Sequence, residues 1–359
     1  MNLLSFSLYA AIAGFTLYIL VVGKALILPF AVAVVFWYLI ATLARTYSRM
    51  GAWGFRIPGW LAMTLACLTF FAVLSAFVDL TRDNIEQVVA AAPVYQANLE
   101  RLLNDVVALL GIEKVPTIEQ LRDQINLGSI AGQLASGVAS FAGNVGIILV
   151  YAIFLLIEQK GFSAKLDALV GSDPDRRKRV HRTLDRINTD IRTYLWVKTL
   201  LSIATGGISY FVMIAVGVDL AEFWAVLIFL LNFIPTIGSI LGIVFPALLT
   251  LVQFEDPITP FIIVTTLLGA TQIVTGNVVE PKMMGRSLSL SPLVILISLA
   301  LWGSIWGVIG MFLSVPIIVI AMIIFAQFKA TRPVAILLSS DGNVSHLEGE
   351  KPPEAEKPV

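Results

Sequence analysis

Long runs of apolar residues, separated by polar segments, occupy most of this chain. The first three runs lie at residues 7–22, 25–43 and 57–78 and contain no charged side chain. An apolar helix of about 20 residues is long enough to cross the hydrocarbon layer of a bilayer. We therefore predict three transmembrane helices within residues 1–78, with a tight turn at Gly23 and Lys24 between the first two.

Residues 79–140 have a different pattern, with eight acidic and only four basic side chains. Apolar residues recur there at steps of three and four, which predicts an amphipathic helix with a seam about four heptads long. Pro93 is expected to break or restart this helix. The helix lies either on the membrane or its own protein, or at a subunit contact in a homo-oligomer. The seam consists of Ile85, Val88, Ala92, Tyr95, Leu99, Leu102, Val106 and Leu109.

A fourth predicted span, 141–157, and a fifth, 199–218, enclose a basic segment at residues 158–198. That segment has ten Lys and Arg residues against six acidic ones, and its most basic run is 176–182. Such a run resembles a nucleic-acid patch, but a solvated helix face near anionic lipid headgroups explains it better. Its predicted buried stripe consists of Val180, Leu184, Ile187 and Ile191.

Two apolar stretches in the last third of the chain are overlong and broken inside. The stretch 221–252 is interrupted by the sequence N-F-I-P-T-I-G at 232–238. Between the two stretches lie a plain span, 257–274, and a predicted polar loop, 276–286. The second stretch, 291–328, is interrupted by Gly303, Gly307, Gly310 and Pro316.

The charges of the loops predict the orientation, because short basic loops stay in the cytoplasm. Spans one to five alternate correctly if the N-terminus is inside and the acidic segment outside. If each overlong stretch crosses once, there are eight spans, and Lys282 and Arg286 fall outside, against this rule. If each is a re-entrant hairpin, there are six full spans and these bases lie inside. We favour the hairpins, in a transport core over 199–328, and we expect a disordered cytoplasmic tail over 329–359.

A break in a membrane helix leaves backbone N–H and C=O groups unpaired, which is tolerated where they line a cavity or bind something. Half-helices of this kind hold solutes and ions in many secondary transporters. A packed Pro kink is the other explanation, but two broken stretches flanking one span favour transport. The residues predicted to line the two tips are Asn232, Pro235, Thr236, Gly238, Ser298, Trp302, Gly303 and Gly307.

Glu280 is the only acidic residue between Pro257 and the C-terminal tail. With Gln272 and Asn277 it forms a polar group beside an apolar span, and an ionisable residue at membrane depth is a candidate proton carrier or cation ligand. Alternatively, Glu280 lies at the cytoplasmic surface and pairs with Lys282 or Arg286. The spacing of Gly303 and Gly307 also fits close helix packing.

Composition agrees with an all-α polytopic membrane protein. Hydrophobic residues make up 58% of the 359 positions and charged residues 13%, about half the share in soluble domains. The net charge of zero argues against a nucleic-acid partner. With Cys67 as the single cysteine and two histidines, in a basic helix and the tail, neither a catalytic triad nor a metal site is predicted, and no enzyme activity or cofactor. The sequence G-x-x-x-x-G-K-[ST] of ATP-binding loops does not occur.

The motif at 232–238, the sequence G-N-V-V-E-P-K-M-M-G-R at 276–286 and S-P-L at 291–293 resemble those of the autoinducer-2 exporter family of bacterial membrane proteins. The resemblance covers most of the chain. It implies a multi-pass inner-membrane permease that exports a small polar solute, such as a quorum-sensing furanone. Some relatives resemble Na⁺(Li⁺)/H⁺ antiporters, so a cation is the alternative solute. A non-transporting scaffold is the alternative of another class.

Overall fold

The structure is a computed structural model that describes residues 3–49, 57–110, 127–284 and 290–344 together with Leu347. Within these ranges the chain is helical, and its one β-bridge, between Leu290 and Ser339, belongs to no strand. The predicted all-α class is confirmed.

The helices are numbered in chain order. They are α1 (Leu3–Val22), α2 (Lys24–Arg49), α3 (Gly59–Leu110), α4 (Leu127–Val170), α5 (Pro174–Val216), α6 (Ala221–Leu231), α7 (Ile237–Gln253), α8 (Ile258–Ile273), α9 (Glu280–Met284), α10 (Pro292–Ala326) and α11 (Arg332–Leu338). A π-helical turn, Val274–Val279, joins α8 to α9 without a break.

Several of these helices are long and apolar enough to cross a membrane. In the described part of the chain five segments meet this criterion, and a sixth does so if the bent pair Val145–Gln159 and Gly161–Val170 is one span. Large apolar side chains are exposed on them, including Trp60 and Phe211, as expected of surfaces that face lipid. The protein is therefore a multi-pass membrane protein. The five segments are Lys24–Ser48, Gly59–Leu80, Pro174–Val216, Ile258–Met284 and Pro292–Ala326.

Two predicted interruptions are absent, because helices continue through them. Pro93 lies inside α3, which runs unbroken for 52 residues. A proline removes one backbone hydrogen bond, and here the next turns are held by Tyr95 and Asn98, both buried against other parts of the chain. The predicted polar loop at 276–286 was also wrong as far as Met284, since the π-helical turn and α9 continue the helix. Residues 285–289 lie outside the described residues.

Helices α6 and α7 form an antiparallel hairpin, called here the first hairpin. The helix breaks after Leu231 and restarts at Ile237, which confirms the predicted interruption at Pro235. Its two arms have 11 and 17 residues, about 16 and 25 Å, each shorter than the hydrocarbon layer of about 30 Å. Three pairs face each other across the arms: Leu231 and Gly238, Ile228 and Gly242, and Trp224 and Phe245.

Helix α10 also turns back on itself, at Gly307, and is called here the second hairpin. Gly307 has φ 65° and ψ −147°, a conformation that is open to glycine alone. Ser298 Oγ donates to Ser314 O at 3.1 Å, although 16 residues of straight helix would separate them by about 24 Å. Three pairs face each other: Ser298 and Ser314, Trp302 and Gly310, and Gly303 and Met311.

The chain divides into two compact units, and each contains one hairpin. Unit 1 comprises Met1–Met63, Gly146–Trp196 and Met284–Val359, with the second hairpin, and its core includes Val319 and Ile323. Unit 2 comprises Thr64–Val145 and Val197–Met283, with the first hairpin, and its core includes Met213, Ile228 and Val264.

The start of the expected disordered tail is ordered. Helix α11 follows α10, and Val344 and Leu347 are buried in the core of unit 1. Gln327 Nε2 donates to Leu347 O at 2.9 Å. These two apolar residues stand in a mostly polar sequence, and burying them offsets the loss of chain entropy on ordering. Residues 348–359 lie outside the described residues.

Candidate functional site

A stripe of polar side chains runs along the buried face of α5 in unit 2. Lys198, Ser202, Thr205 and Ser209 recur at steps of four, three and four, so they lie on one side of the helix. All four are buried, although α5 crosses an apolar bundle. Polar groups in such a place are expensive and need a partner or a function.

Lys198 and Glu280 form a largely buried ion pair at one end of this stripe. Lys198 Nζ lies 2.7 Å from Glu280 Oε1 and 2.8 Å from Oε2, so it contacts both carboxylate oxygens. The side chain of Lys198 is 6% exposed and that of Glu280 is 22% exposed. Removing one partner of a buried pair leaves an uncompensated charge, which costs about 3–5 kcal/mol. The pair therefore joins α5 to α9 strongly, but only while both charges are present.

The turn of the first hairpin meets this ion pair. Asn232 caps the C-terminal end of α6, and its carbonyl accepts a hydrogen bond from Lys198 Nζ at 3.4 Å. A helix C-terminus carries partial negative charge, which favours a cation there. Asn232 Nδ2 donates to Ser202 Oγ at 3.1 Å, so both ends of this residue are bound to α5. The pair and the hairpin turn thus form one hydrogen-bonded cluster: Lys198, Ser202, Asn232 and Glu280.

Further along the stripe, buried polar atoms lack a protein partner. Within the described residues, Thr205 Oγ1, Ser209 Oγ and Gln272 Oε1 are buried with no hydrogen-bond partner in the chain. The same holds for Trp224 Nε1 and Thr265 Oγ1 in this unit. An unsatisfied buried group costs about 1–3 kcal/mol, so five in one unit indicate a place where other molecules supply the hydrogen bonds.

A second polar cluster lies where α3 meets the loop between α5 and α6. Tyr95 Oη donates to Asp219 Oδ2 at 2.8 Å, and Asn98 Nδ2 donates to Val252 O at 2.9 Å. Gln253 accepts from the Asp219 N–H at 2.9 Å and donates to Gly217 O at 2.7 Å. Burial, and then the hydrogen bond to Asp219 and its charge, raise the pKa of Tyr95 far above its usual value. Tyr95 therefore stays a neutral donor at physiological pH.

The predicted residues of the first hairpin lie at its turn, in different surroundings. Asn232 and Gly238 are buried, Pro235 is half-buried and Thr236 is exposed. Gly238 packs so closely that a Cβ there would lie 1.7 Å from Leu231 O. Thr236 has φ 63° and ψ −59°, which a β-branched residue rarely adopts and which stores about 1–3 kcal/mol of strain.

The predicted residues next to the loop are separated. Gln272 is buried beside Gly242, whereas Asn277 points out to an exposed position. Glu280 lies with Lys198, and in the described residues it forms no ion pair with Lys282. Arg286, the other base predicted as its partner, lies outside the described residues. The polar group predicted from Gln272, Asn277 and Glu280 is thus not one cluster, since the helix that replaces the loop directs these side chains differently.

The predicted residues of the second hairpin lie in unit 1, in a self-contained structure. Ser298 is bonded to the opposite arm, and Gly303 contacts Met311. The Gly303–Gly307 spacing was interpreted as a packing pair on one helix face, and this was wrong because the helix ends at Gly307. The rings of Trp302 and Trp306 are in tilted contact, with centroids 4.8 Å apart, and Trp306 Nε1 donates to Leu20 O at 3.0 Å.

The sequence prediction missed Lys198, Ser202, Thr205 and Ser209. Lys198 ends the predicted basic segment, and the other three lie in a predicted span where single hydroxyls pass unnoticed. Their helical spacing is the signal that identifies them, since four polar residues on one face of an apolar helix need a buried partner.

Comparison with known proteins identifies the family of this chain. Residues 6–330 match the family described as "AI-2E family transporter". A Haemophilus influenzae protein named "Putative transport protein" is 30% identical over 289 residues, covering 79% of this chain and 82% of its own length. The "AI-2 transport protein TqsA" of Escherichia coli is 28% identical over 324 residues, covering 88% and 89%. These are names of transporters and not of enzymes, and the chain belongs to the AI-2E transporter family.

Proposed function

We propose that this protein is a secondary transporter of a bacterial inner membrane that exports a small polar solute, such as an autoinducer-2-like signal. The Escherichia coli relative is named an AI-2 transport protein, which supports a solute of this kind. The observation that carries the proposal is the buried Lys198–Glu280 pair at the turn of the first hairpin. Because the chain has no ATP-binding loop of the common type, a proton or Na⁺ gradient drives uphill export.

The cluster supplies the interactions that a polar solute needs on leaving water. Lys198 offers donors, Glu280 offers acceptors, and the Asn232 amide offers both. A solute that binds Lys198 replaces its 3.4 Å hydrogen bond to Asn232 O, the longest in the cluster. That exchange loosens the hairpin turn from α5. In this proposal, movement of the hairpin-containing core then carries the solute across, with the two hairpins as the moving parts.

Export is tested with purified protein in vesicles loaded with autoinducer-2. Wild-type protein is expected to release the solute faster than protein-free vesicles, and Lys198→Met and Glu280→Gln are expected to lose most of this rate. Glu222→Gln is the matched control, since Glu222 is an exposed carboxylate in the same unit. Release by wild-type protein no faster than from empty vesicles would overturn this choice of solute.

A Na⁺(Li⁺)/H⁺ antiporter is the second candidate, and Glu280 favours it. Glu280 lies within an apolar segment, Ile258–Met284, and is held by a lysine that competes with any cation for the carboxylate. In vesicles that hold a pH-sensitive dye, a Na⁺ or Li⁺ gradient then produces a pH change that Glu280→Gln abolishes. An unchanged pH with wild-type protein would exclude this candidate.

The remaining parts of the proposal concern the protein in its membrane. We propose that both termini are cytoplasmic, which reporter fusions at each end test. The acidic α3 extension is proposed to contact other subunits in a homo-oligomer, although Tyr95 and Asn98 on it bind their own chain. Cross-linking in membranes distinguishes an oligomer from a monomer. A scaffold of another class predicts intact assembly with no solute movement in either vesicle assay.

A further inference from the structure

The polar stripe of α5 begins at the Lys198–Glu280 pair and continues along the buried face of α5 inside unit 2. Helices α5 and α6 run antiparallel, since residues late in α5 meet residues early in α6. The contacts that define this register are Ser202 with Asn232, Gly206 with Ala225 and Phe229, and Tyr210 with Glu222.

This register places the unpartnered atoms at two successive levels below the ion pair. Thr205 adjoins Gly206 and therefore lies at the middle of α6. Gln272 reaches that level too, because its amide lies beside Gly242 and Gly242 packs against Ile228 of α6. Ser209 lies one turn further along α5, level with the start of α6 and Trp224. Each level thus contributes at least one buried polar atom without a protein partner in the described chain.

The hydrogen-bonding groups of these side chains indicate which kind of molecule can bind there. Hydroxyls of Thr205 and Ser209 donate and accept, Gln272 Oε1 accepts and Trp224 Nε1 donates. None of the four is charged, so an ion entering there is not neutralised. Water, and small uncharged molecules with hydroxyl or carbonyl groups, supply both donors and acceptors.

We propose that Thr205, Ser209 and Gln272 line a water-containing polar passage through unit 2, which begins at the Lys198–Glu280 pair and runs along α5. All residues that line the passage belong to unit 2. That the transported solute follows it rests on the proposed function. Burial alone does not place a threonine in the passage. Thr250 is fully buried in the same unit, but its hydroxyl donates to Ala247 O at 2.7 Å in its own helix.

Water access is measured by cysteine labelling in the full-length protein. Cys67 is the single native cysteine, so Cys67→Ser supplies the background. A small methanethiosulfonate reagent reacts with thiolates, which form only where water reaches. We expect Thr205→Cys and Ser209→Cys in vesicles to react at least about 10-fold faster than Thr250→Cys, since only the first two line the passage.

Reaction of both variants no faster than Thr250→Cys would overturn the passage. Gln272→Cys is a third position on a different helix, in case one α5 variant does not fold. Transport is then compared for Thr205→Val and Thr250→Val, and a several-fold loss is expected for the first alone. Fast labelling with no solute release by wild-type protein would leave the passage in place and reject the proposed function. Fast labelling with equal transport by both valine variants would show that the solute takes another route.

Discussion

The two helical hairpins have the same topology, but they differ in whether the polar groups buried in and beside them have hydrogen-bond partners. In the second hairpin every buried side-chain polar atom within the described part of α10 has a protein partner, including Ser298 and Ser314. The first hairpin instead adjoins a largely buried ion pair and contains Trp224, whose indole N–H has no partner in the part of the chain that the structure describes. Buried polar groups that are all hydrogen-bonded stabilise a fold, whereas buried groups without a protein partner need water or another bound molecule to satisfy them. The two hairpins therefore differ in whether their buried polar groups are satisfied within the described residues, and under the proposed function the first is the one expected to act in transport.

The largest expected effect is the loss of the ion pair beside the first hairpin. Lys198→Met leaves Glu280 without its counter-charge, and we expect a loss of about 3–5 kcal/mol in the free energy of unfolding. The double variant Lys198→Met/Glu280→Met removes both charges and should recover most of that loss without recovering transport. Thermal unfolding in detergent and vesicle release measure the two effects. Equal stability of the single and double variants would contradict the pairing.

Both hairpins should respond similarly to a methyl group where their arms meet. A Cβ would lie 1.7 Å from Leu231 O at Gly238 and 2.0 Å from Trp302 O at Gly310. Because these neighbours are backbone atoms, Gly238→Ala and Gly310→Ala should each lower the free energy of unfolding by about 1–3 kcal/mol. Gly269→Ala is the control, since a Cβ there meets nothing within 4 Å. A stability unchanged by Gly238→Ala would mean that the first hairpin is packed differently.

Removing a hydroxyl should have opposite consequences in the two hairpins' units. Ser298→Ala breaks a bond to the other arm of the second hairpin, and we expect it to cost about 1 kcal/mol with transport unchanged. Thr205→Val removes a hydroxyl that binds no protein group within the described residues and that, in the proposed passage, binds water; stability should therefore change by less than about 0.5 kcal/mol while transport falls. The comparison between the hairpins fails if Ser298→Ala affects transport more than Thr205→Val does.

The smallest expected effect is at the turn of the first hairpin. Thr236 has a positive φ that glycine adopts without strain, so Thr236→Gly should raise the free energy of unfolding by up to about 1 kcal/mol. If the strain helps the turn to move, the variant should also slow solute release. Unfolding temperature and release rate are compared with those of the wild type. A lower unfolding temperature would show that Thr236 makes contacts worth more than its strain.

Local features of the chain were predictable where the cause is local. Apolar runs predicted helices and the motifs predicted the family; of the residues expected to interrupt the two long stretches, Pro235 and Gly307 lie at breaks, whereas Pro316 lies inside α10. Pro93 misled the prediction, because a proline weakens a helix locally but packing of the following turns maintains it. The polar sequence from Gly276 predicts a loop, but residues as far as Met284 are helical. Composition alone does not reveal the neighbours that stabilise this helix.

The sequence by itself determined that the chain crosses a membrane, because hydrophobic length depends on composition alone. It also predicted that the two long apolar stretches are broken inside, with hairpins favoured over full spans. Only the tertiary structure decided the partner of Glu280, because Lys198 is 82 residues away in the chain and reaches it through the packing of α5 against α9. The same holds for Thr205 and Ser209, whose hydroxyls resemble any others until the fold shows that no protein group among the described residues satisfies them. Burial and pairing are properties of the packed helices. Only they distinguish the four polar residues of the α5 stripe, which line the proposed solute path, from other polar residues of the chain.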